Sequence, residues 1–231
     1  MSKPWIALFR GINVGGNNKL PMKELAARMV ENGLTDVKTY IASGNVVFRA
    51  PGKEAALQER IETIVQRSFG FRPAVFVLAP KKLESVIEGN PFKDAAHQGK
   101  AQHVFFLAAP ATSVDHALLD GLKTGEEAYA VTDDALYLYA PEGIGQSKLA
   151  EKIARAVKAT MTARNLNTVL ELSKMVAALG KLSLPRPTRR PTSRAGSRRR
   201  ASRRRCRSTR PIPGSAARRA RTCPLRCPSL R

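Results

Sequence analysis

Cysteine is absent from the first 180 residues, since all three cysteines of the chain (Cys206, Cys223 and Cys227) lie beyond them. This absence excludes disulfide bonds, a thiol nucleophile and a thiolate metal site from residues 1–180. Long apolar runs are also missing, and none approaches the roughly 20 residues that cross a bilayer. The start, MSKPWIALFR, lacks the order of a signal peptide. We therefore expect a cytoplasmic protein with no membrane partner.

Acidic residues are absent from residues 181–231, which contain 17 arginines and one lysine. Residues 1–180 hold 22 Lys and Arg against 18 Asp and Glu, so the net charge of +22 belongs mainly to the end of the chain. Its mixture of Arg, Pro and Ser has no apolar periodicity, which predicts a disordered basic tail. Such a tail would contact nucleic acid non-specifically through phosphates. Alternatively, its composition resembles GC-rich codons read in a shifted frame.

Common catalytic motifs are also missing. His97, His103 and His116 occur singly, without acidic or serine partners at motif spacing, and no zinc-protease, nucleophile-elbow or EF-hand pattern occurs. His103 begins an apolar strand and is predicted to be structural. We predict no metal and no cofactor, and whether the chain is an enzyme stays open.

Hydrophobic periodicity predicts an α+β fold made of two ferredoxin-like split βαβ halves, residues 1–80 and 81–180, followed by the tail at 181–231. In the first half, short β-rich runs such as Trp5–Ile12 and Val37–Ile41 alternate with helical patterns in the order β-α-β-β-α-β. The second half shows β-α-β-β-α, with a last strand that is weak or replaced by a helix.

The first polar segment that could carry chemistry joins the first strand to the first helix. Glycines there allow backbone N–H groups to converge, and the helix that follows adds positive potential. We predict an anion site formed by Arg10, Asn13, Gly15 and Lys19. The alternative is a purely structural loop, since no known nucleotide-binding spacing is matched.

Two further segments lie near helix starts. Ser147 and Lys148 follow two glycines, which favours either a capped helix or a small anion nest. Arg164 and Asn165 lie in a polar run that opens the last predicted helix and are predicted to join the anion site, where Arg164 could clamp a phosphate or carboxylate. The alternative is that Asn165 or Thr162 caps the helix while Arg164 pairs with an internal acid. A fourth segment, residues 43–45, is predicted to be a tight turn.

Five sequence motifs together resemble the uncharacterised bacterial family catalogued as domain of unknown function 1697. They are IALFRGINVGGNNKLPMKEL, VKTYIASGNVVF, NPF, YLYAPEGIGQSKL and TARNLNTVLEL. The resemblance runs from about Trp5 to about Leu172 and implies two ferredoxin-like α+β halves. It implies no activity, cofactor or partner. The family usually carries tryptophan where this chain has Leu166, and its pattern does not extend into an arginine-rich tail.

Three functions remain compatible with the sequence. The first is a binder of a phosphate-bearing ligand, such as a nucleotide or another anionic small molecule. The second is an enzyme that acts on a small anionic substrate by positioning and electrostatics. The third is a protein-interaction module whose polar motifs are structural caps and turns.

Overall fold

The computed structural model describes residues 2–15, 18–92 and 99–181 of the chain. The predicted basic tail, apart from Lys181, lies outside the described residues. Within them, no helix is long and apolar enough to cross a membrane. The cytoplasmic location stays a prediction.

Among the described residues, the first half contains four strands and two helices, and a third helix leads from it into the second half. They are β1 (Lys3–Phe9), α1 (Met22–Glu31), β2 (Thr35–Tyr40), β3 (Asn45–Ala50), α2 (Glu54–Phe69), β4 (Val75–Leu78) and α3 (Pro80–Glu88). The predicted order of this half is confirmed. The predicted second strand, Val37–Ile41, began two residues late and ended one residue late, because Ile41 has a φ of +48° and belongs to the turn after β2.

The second half repeats the same order. Its elements are β5 (Gln102–Leu107), α4 (His116–Leu122), β6 (Ala128–Val131), β7 (Ala135–Tyr139), α5 (Lys148–Ala156), β8 (Met161–Asn165) and α6 (Leu166–Lys181). The expectation that its last strand is weak or replaced by a helix is wrong. β8 pairs with β5 along five residues, and α6 begins only after it.

Each half forms a four-stranded antiparallel sheet with equivalent strand order. The first sheet has the order β2-β3-β1-β4 and the second the order β6-β7-β5-β8. In both, the first strand of the half lies in the centre between its third and fourth strands, as in a split βαβ unit. The predicted α+β class is therefore confirmed.

Three apolar clusters fill the space around the two sheets. Helices α1 and α2 cover one face of the first sheet, and α4 and α5 cover one face of the second. The third cluster combines residues of both sheets with α3 and α6. Helix α6 contacts β1 and β3 of the first sheet as well as β5 and β8 of the second, so the two halves share this part of the core.

Candidate functional site

A surface groove lies between the start of α1 and the turn that follows β2. We call it the α1 groove, and its volume is about 720 Å³. That volume falls in the range typical of small-molecule sites. It is lined by Asn13, Lys19, Leu20, Pro21, Met22, Lys23, Glu24, Thr39, Ile41 and Ala42.

Asn13 ties the two walls of the groove together. Its Nδ2 donates to the Leu20 carbonyl (3.0 Å) on one wall and to the Ala42 carbonyl (2.7 Å) on the other. Its Oδ1 accepts from the Leu20 amide at 2.7 Å. With φ at +55°, Asn13 occupies the left-handed region, which asparagine tolerates better than most residues. Its side chain therefore shapes the groove, and both its amide hydrogens are already used within the protein.

The first turn of α1 borders the groove without a side-chain cap. Pro21 occupies the N-cap position, and no side chain of the described residues accepts a hydrogen bond from this helix end. The first N–H groups of a helix have no partner inside the helix, and the positive end of the helix dipole lies at the same place. Lys19 and Lys23 lie beside this turn, and Glu24 adds one opposing charge.

The opposite wall is a turn with unusual backbone geometry. Ile41 has a φ of +48° although its side chain is β-branched, and it is 53% exposed. A non-glycine residue held in this region costs on the order of 1–3 kcal/mol. The turn is held by hydrogen bonds from outside, since Asn13 donates to Ala42 and Arg164 donates to Ser43 and Gly44.

Arg164 is a buried residue whose hydrogen bonds connect the second half of the chain to the first. It extends from β8, and it is only 8% exposed. Its Nε donates to Asn45 Oδ1 at 2.5 Å, and its Nη2 donates to the carbonyls of Phe9 (2.7 Å), Ser43 (3.2 Å) and Gly44 (3.1 Å). Its Nη1 donates within β8, to residues 162 and 163.

All six of these acceptors are neutral. Burial lowers the pKa of the Arg164 guanidinium to about 10, because a charged group is less stable away from water. The side chain still carries its proton at neutral pH. No carboxylate of the described residues neutralises it through a hydrogen bond or salt bridge, so Arg164 leaves a net positive charge behind the turn.

Ser147 and Lys148 lie at the start of α5, in a different groove of about 350 Å³. The Ser147 hydroxyl accepts from the Ala150 amide at 2.9 Å, which confirms the predicted cap. Glu127 and Glu151 add negative charge there. Partial burial acts to raise the pKa of Glu127. Hydrogen bonds from Ser147 and Thr124 nevertheless hold this pKa below its ordinary value. This helix end is already capped and opposed by carboxylates, so it is poorly suited to an anion.

The remaining predicted residues are placed as follows. Asn165 joins β8 to α6, where its Oδ1 accepts from the Asn167 amide (3.0 Å) and its Nδ2 donates to the Lys100 carbonyl (2.9 Å). Arg10 and Gly15 are exposed, but neither lines the α1 groove.

The structure thus brings Asn13 and Lys19 together and separates them from Ser147 and Lys148. The two grooves share no lining residue among the described part of the chain. Sequence reasoning missed Lys23 and Ile41, and it assigned Asn45 only to a tight turn. A lysine in the first turn of a helix was the one available signal, and it was too common to select.

Comparison with known families shows to which family the chain belongs. A sequence profile described as Protein of unknown function (DUF1697) matches residues 2–137. This span is more than half of the 231 residues. The chain belongs to the DUF1697 family. The match includes the whole α1 groove and Asn45, whereas Ser147 and Arg164 lie beyond it.

The DUF1697 chain is also similar to a solved structure, that of the conserved bacterial protein SP0830 from Streptococcus pneumoniae. The two are 24% identical, with a TM-score of 0.58, and the similarity covers 76% of this chain and 99% of the other. At this level of identity the similarity supports the fold alone. No match was found among curated proteins.

Leu166 lies where the family resemblance leads us to expect tryptophan. In this DUF1697 chain it is the first residue of α6 and belongs to the core cluster shared by both sheets. It therefore packs in the interior at this position.

His103 lies buried in β5. It is 8% exposed, and its Nδ1 has no hydrogen-bond partner among the described residues. Burial lowers the pKa of the imidazole, and a smaller opposing effect comes from a hydrogen bond with the Ala101 backbone. Elsewhere in the described residues, no three His, Cys, Asp or Glu side chains are grouped to hold a metal ion.

We predict that His103 makes the DUF1697 chain lose stability in mild acid. The folded chain keeps His103 neutral, whereas the unfolded chain protonates it near pH 6.5, so the unfolded state binds more protons as pH falls below that value. Chemical denaturation from pH 7 to pH 5 should show a loss of up to about 1.4 kcal/mol per pH unit from this residue. His103→Leu should remove that part of the slope, and His116→Leu, at an exposed histidine, should keep it. Equal slopes in both variants would contradict this prediction.

Proposed function

We propose that the DUF1697 chain binds a phosphate-bearing or other anionic ligand in the α1 groove. The observation that carries the proposal is the uncapped first turn of α1, with Lys19 and Lys23 in the same groove. Backbone N–H groups at a helix start and nearby cations are the groups that bind phosphate in proteins.

Comparison with α5 supports the choice of this helix. The start of α5 is capped by Ser147 and has Lys148 beside two carboxylates, whereas the start of α1 has two lysines, one carboxylate and no cap. An anion at α1 would therefore gain hydrogen bonds that the protein does not already make. The same anion at α5 would have to displace an existing cap.

Arg164 and Asn13 act on the ligand indirectly in this proposal. Both hold the turn that forms the far wall of the groove, and their hydrogen-bond donors are used within the protein. Arg164 adds long-range positive potential through a low-dielectric interior. The proposed site is narrower than the predicted one, because Arg10, Gly15, Ser147, Lys148 and Asn165 contribute no contact to it.

Calorimetric titration of pyrophosphate into the full chain at fixed moderate salt tests the proposal. The basic tail will bind anions too, so the informative quantity is the difference between variants. The double variant Lys19→Met, Lys23→Met should weaken a saturable binding event by roughly tenfold or more, as expected for the loss of charged hydrogen bonds of about 1.5–3 kcal/mol.

The matched control is Lys148→Met, Lys152→Met, which removes the same charge from α5. This control should leave the saturable event unchanged apart from a small non-specific effect. If both double variants weakened binding equally, or if neither did, the α1 groove would not be the anion site.

A second candidate function is a protein-interaction surface. Val14 is 70% exposed and Ile41 is 53% exposed, and the two lie on the loop and turn that flank the groove. Single exposed apolar residues are common on protein surfaces, so this reading rests on their position beside the groove. A stable complex that persists in the Lys19→Met, Lys23→Met variant but is lost on Ile41→Asn would favour it.

A further inference from the structure

The α1 groove has an apolar lining as well as a cationic one. Half of its lining residues are apolar, and these residues come from both walls: Leu20, Pro21, Met22, Ile41 and Ala42. Its volume of about 720 Å³ is far larger than inorganic phosphate requires. Leu20 is itself buried, so a ligand that used only the two lysines would leave the exposed part of this lining, at Pro21, Ile41 and Ala42, in contact with water.

Ile41 is the most informative of these residues. The turn needs a left-handed residue there, and asparagine or glycine would supply that conformation with less strain. The isoleucine side chain is half exposed, so the fold gains little from its burial. The fold alone therefore gives no reason for an apolar, β-branched residue at this place.

From this we infer that the ligand is a small organic phosphate with an apolar body. The inference rests on the proposed function. The phosphate lies between Lys19 and Lys23, and the apolar body packs against Ile41 and the opposite wall at Pro21 and Met22. Ile41 determines specificity, because it distinguishes an organic phosphate from inorganic phosphate.

The charges of the groove favour an organic phosphate over the chain's own tail as the occupant. Residues 181–231 carry 18 cations and no acid, so they are repelled by Lys19 and Lys23. An organic phosphate matches both parts of the lining, because its charge faces the lysines and its body covers the apolar wall.

Three probes distinguish binding to the cationic part of the groove from binding to its apolar part. They are inorganic phosphate, 1-naphthyl phosphate and uncharged 1-naphthol. Binding to the full chain would be measured by calorimetry at one salt concentration. We expect 1-naphthyl phosphate to bind roughly tenfold more tightly than inorganic phosphate, the gain expected when about half of an isoleucine side chain becomes buried. It should also bind more tightly than 1-naphthol, which lacks the charged hydrogen bonds of the phosphate.

The deciding variant is Ile41→Asn, with Val30→Asn as the matched control. Val30 is a β-branched residue on α1 with nearly the same exposure (54%), but it does not line the groove. Ile41→Asn should abolish the preference for 1-naphthyl phosphate over inorganic phosphate and raise the melting temperature. Val30→Asn should keep the preference. A variant that binds less selectively and yet is more stable cannot be explained by misfolding.

Other outcomes would overturn the inference in distinguishable ways. If inorganic and naphthyl phosphate bound with equal affinity, and Lys19→Met, Lys23→Met weakened both, the proposed anion site would be supported. The inference that the ligand has an apolar body would then be wrong. No binding of any probe would contradict the proposed function as well. An acidic peptide or an anionic lipid vesicle that displaced 1-naphthyl phosphate at lower concentration would show that the groove serves a macromolecular partner instead.

Discussion

Replacing Arg164 by methionine is expected to lower the free energy of unfolding by about 3 kcal/mol. The substitution leaves the Phe9 carbonyl and the Asn45 Oδ1, both in buried residues, without their donor. An unsatisfied buried acceptor costs about 1–3 kcal/mol. The gain from removing a buried charge offsets only part of this loss. Urea denaturation of the full chain measures the change directly.

Two further substitutions make this result interpretable. Arg164→Lys retains the charge but cannot reach six acceptors, so it should also be strongly destabilising. Arg28→Met removes an exposed arginine whose salt bridge to Glu31 lies at the surface, and such pairs contribute less than about 1 kcal/mol. If Arg164→Met were as mild as Arg28→Met, the network would not hold the two halves together.

Replacing Gly44 by alanine is expected to destabilise the chain by about 2–5 kcal/mol. Gly44 has a φ of +81°, and an added Cβ would lie 2.6 Å from Ile12 Cδ1 and 2.8 Å from Phe9 Cβ. The alanine therefore suffers both a left-handed backbone and overpacking against buried side chains. The carbonyls that Arg164 binds would move with the turn. Thermal and chemical denaturation should both register the loss.

Gly70→Ala is the matched control for this prediction. Gly70 has a φ of +80° at the end of α2, and no atom lies within 4 Å of its added Cβ. This variant should cost only the backbone term of about 1–2 kcal/mol. A loss in Gly44→Ala no greater than in Gly70→Ala would show that the tight packing beneath the turn is unimportant.

The features that the sequence predicted correctly depend on neighbours along the chain. The apolar runs of β1 and β5 identified buried strands, and the Ser147 cap bonds an amide three residues away. Helix α1 was located by its apolar spacing and its proline. Local patterns of this kind are readable without a structure.

The features that it missed depend on partners far along the chain. β8 was read as a polar run, because Thr162 and Arg164 are polar although both are buried. Arg164 donates a hydrogen bond to Asn45, which lies 119 residues earlier in the chain. No periodicity of the sequence encodes that pairing. Ile41 was assigned to a strand because β-branched residues favour strands. Its left-handed φ is imposed by the turn, which Asn13 and Arg164 hold from outside.

These long-range contacts also explain why only part of the predicted site survives as a proposal. Arg164 and Asn13 have the right chemistry for an anion, yet the fold uses their donors to build a wall of the groove. Lys19 and Lys23 remain available beside the uncapped start of α1. The proposed ligand therefore meets lysines and backbone amides, while the arginine supports the turn opposite.

Nitrogen-15 NMR of the full chain during titration with pyrophosphate tests the central claim most directly, because it reports each amide separately. Our account predicts saturable shifts in the amides of Met22, Lys23 and Glu24, and in those of residues 39–42. The amides at the capped start of α5 should shift little. Saturable shifts confined to α5, or shifts only in the arginine-rich tail, would contradict the assignment of the anion site to the α1 groove.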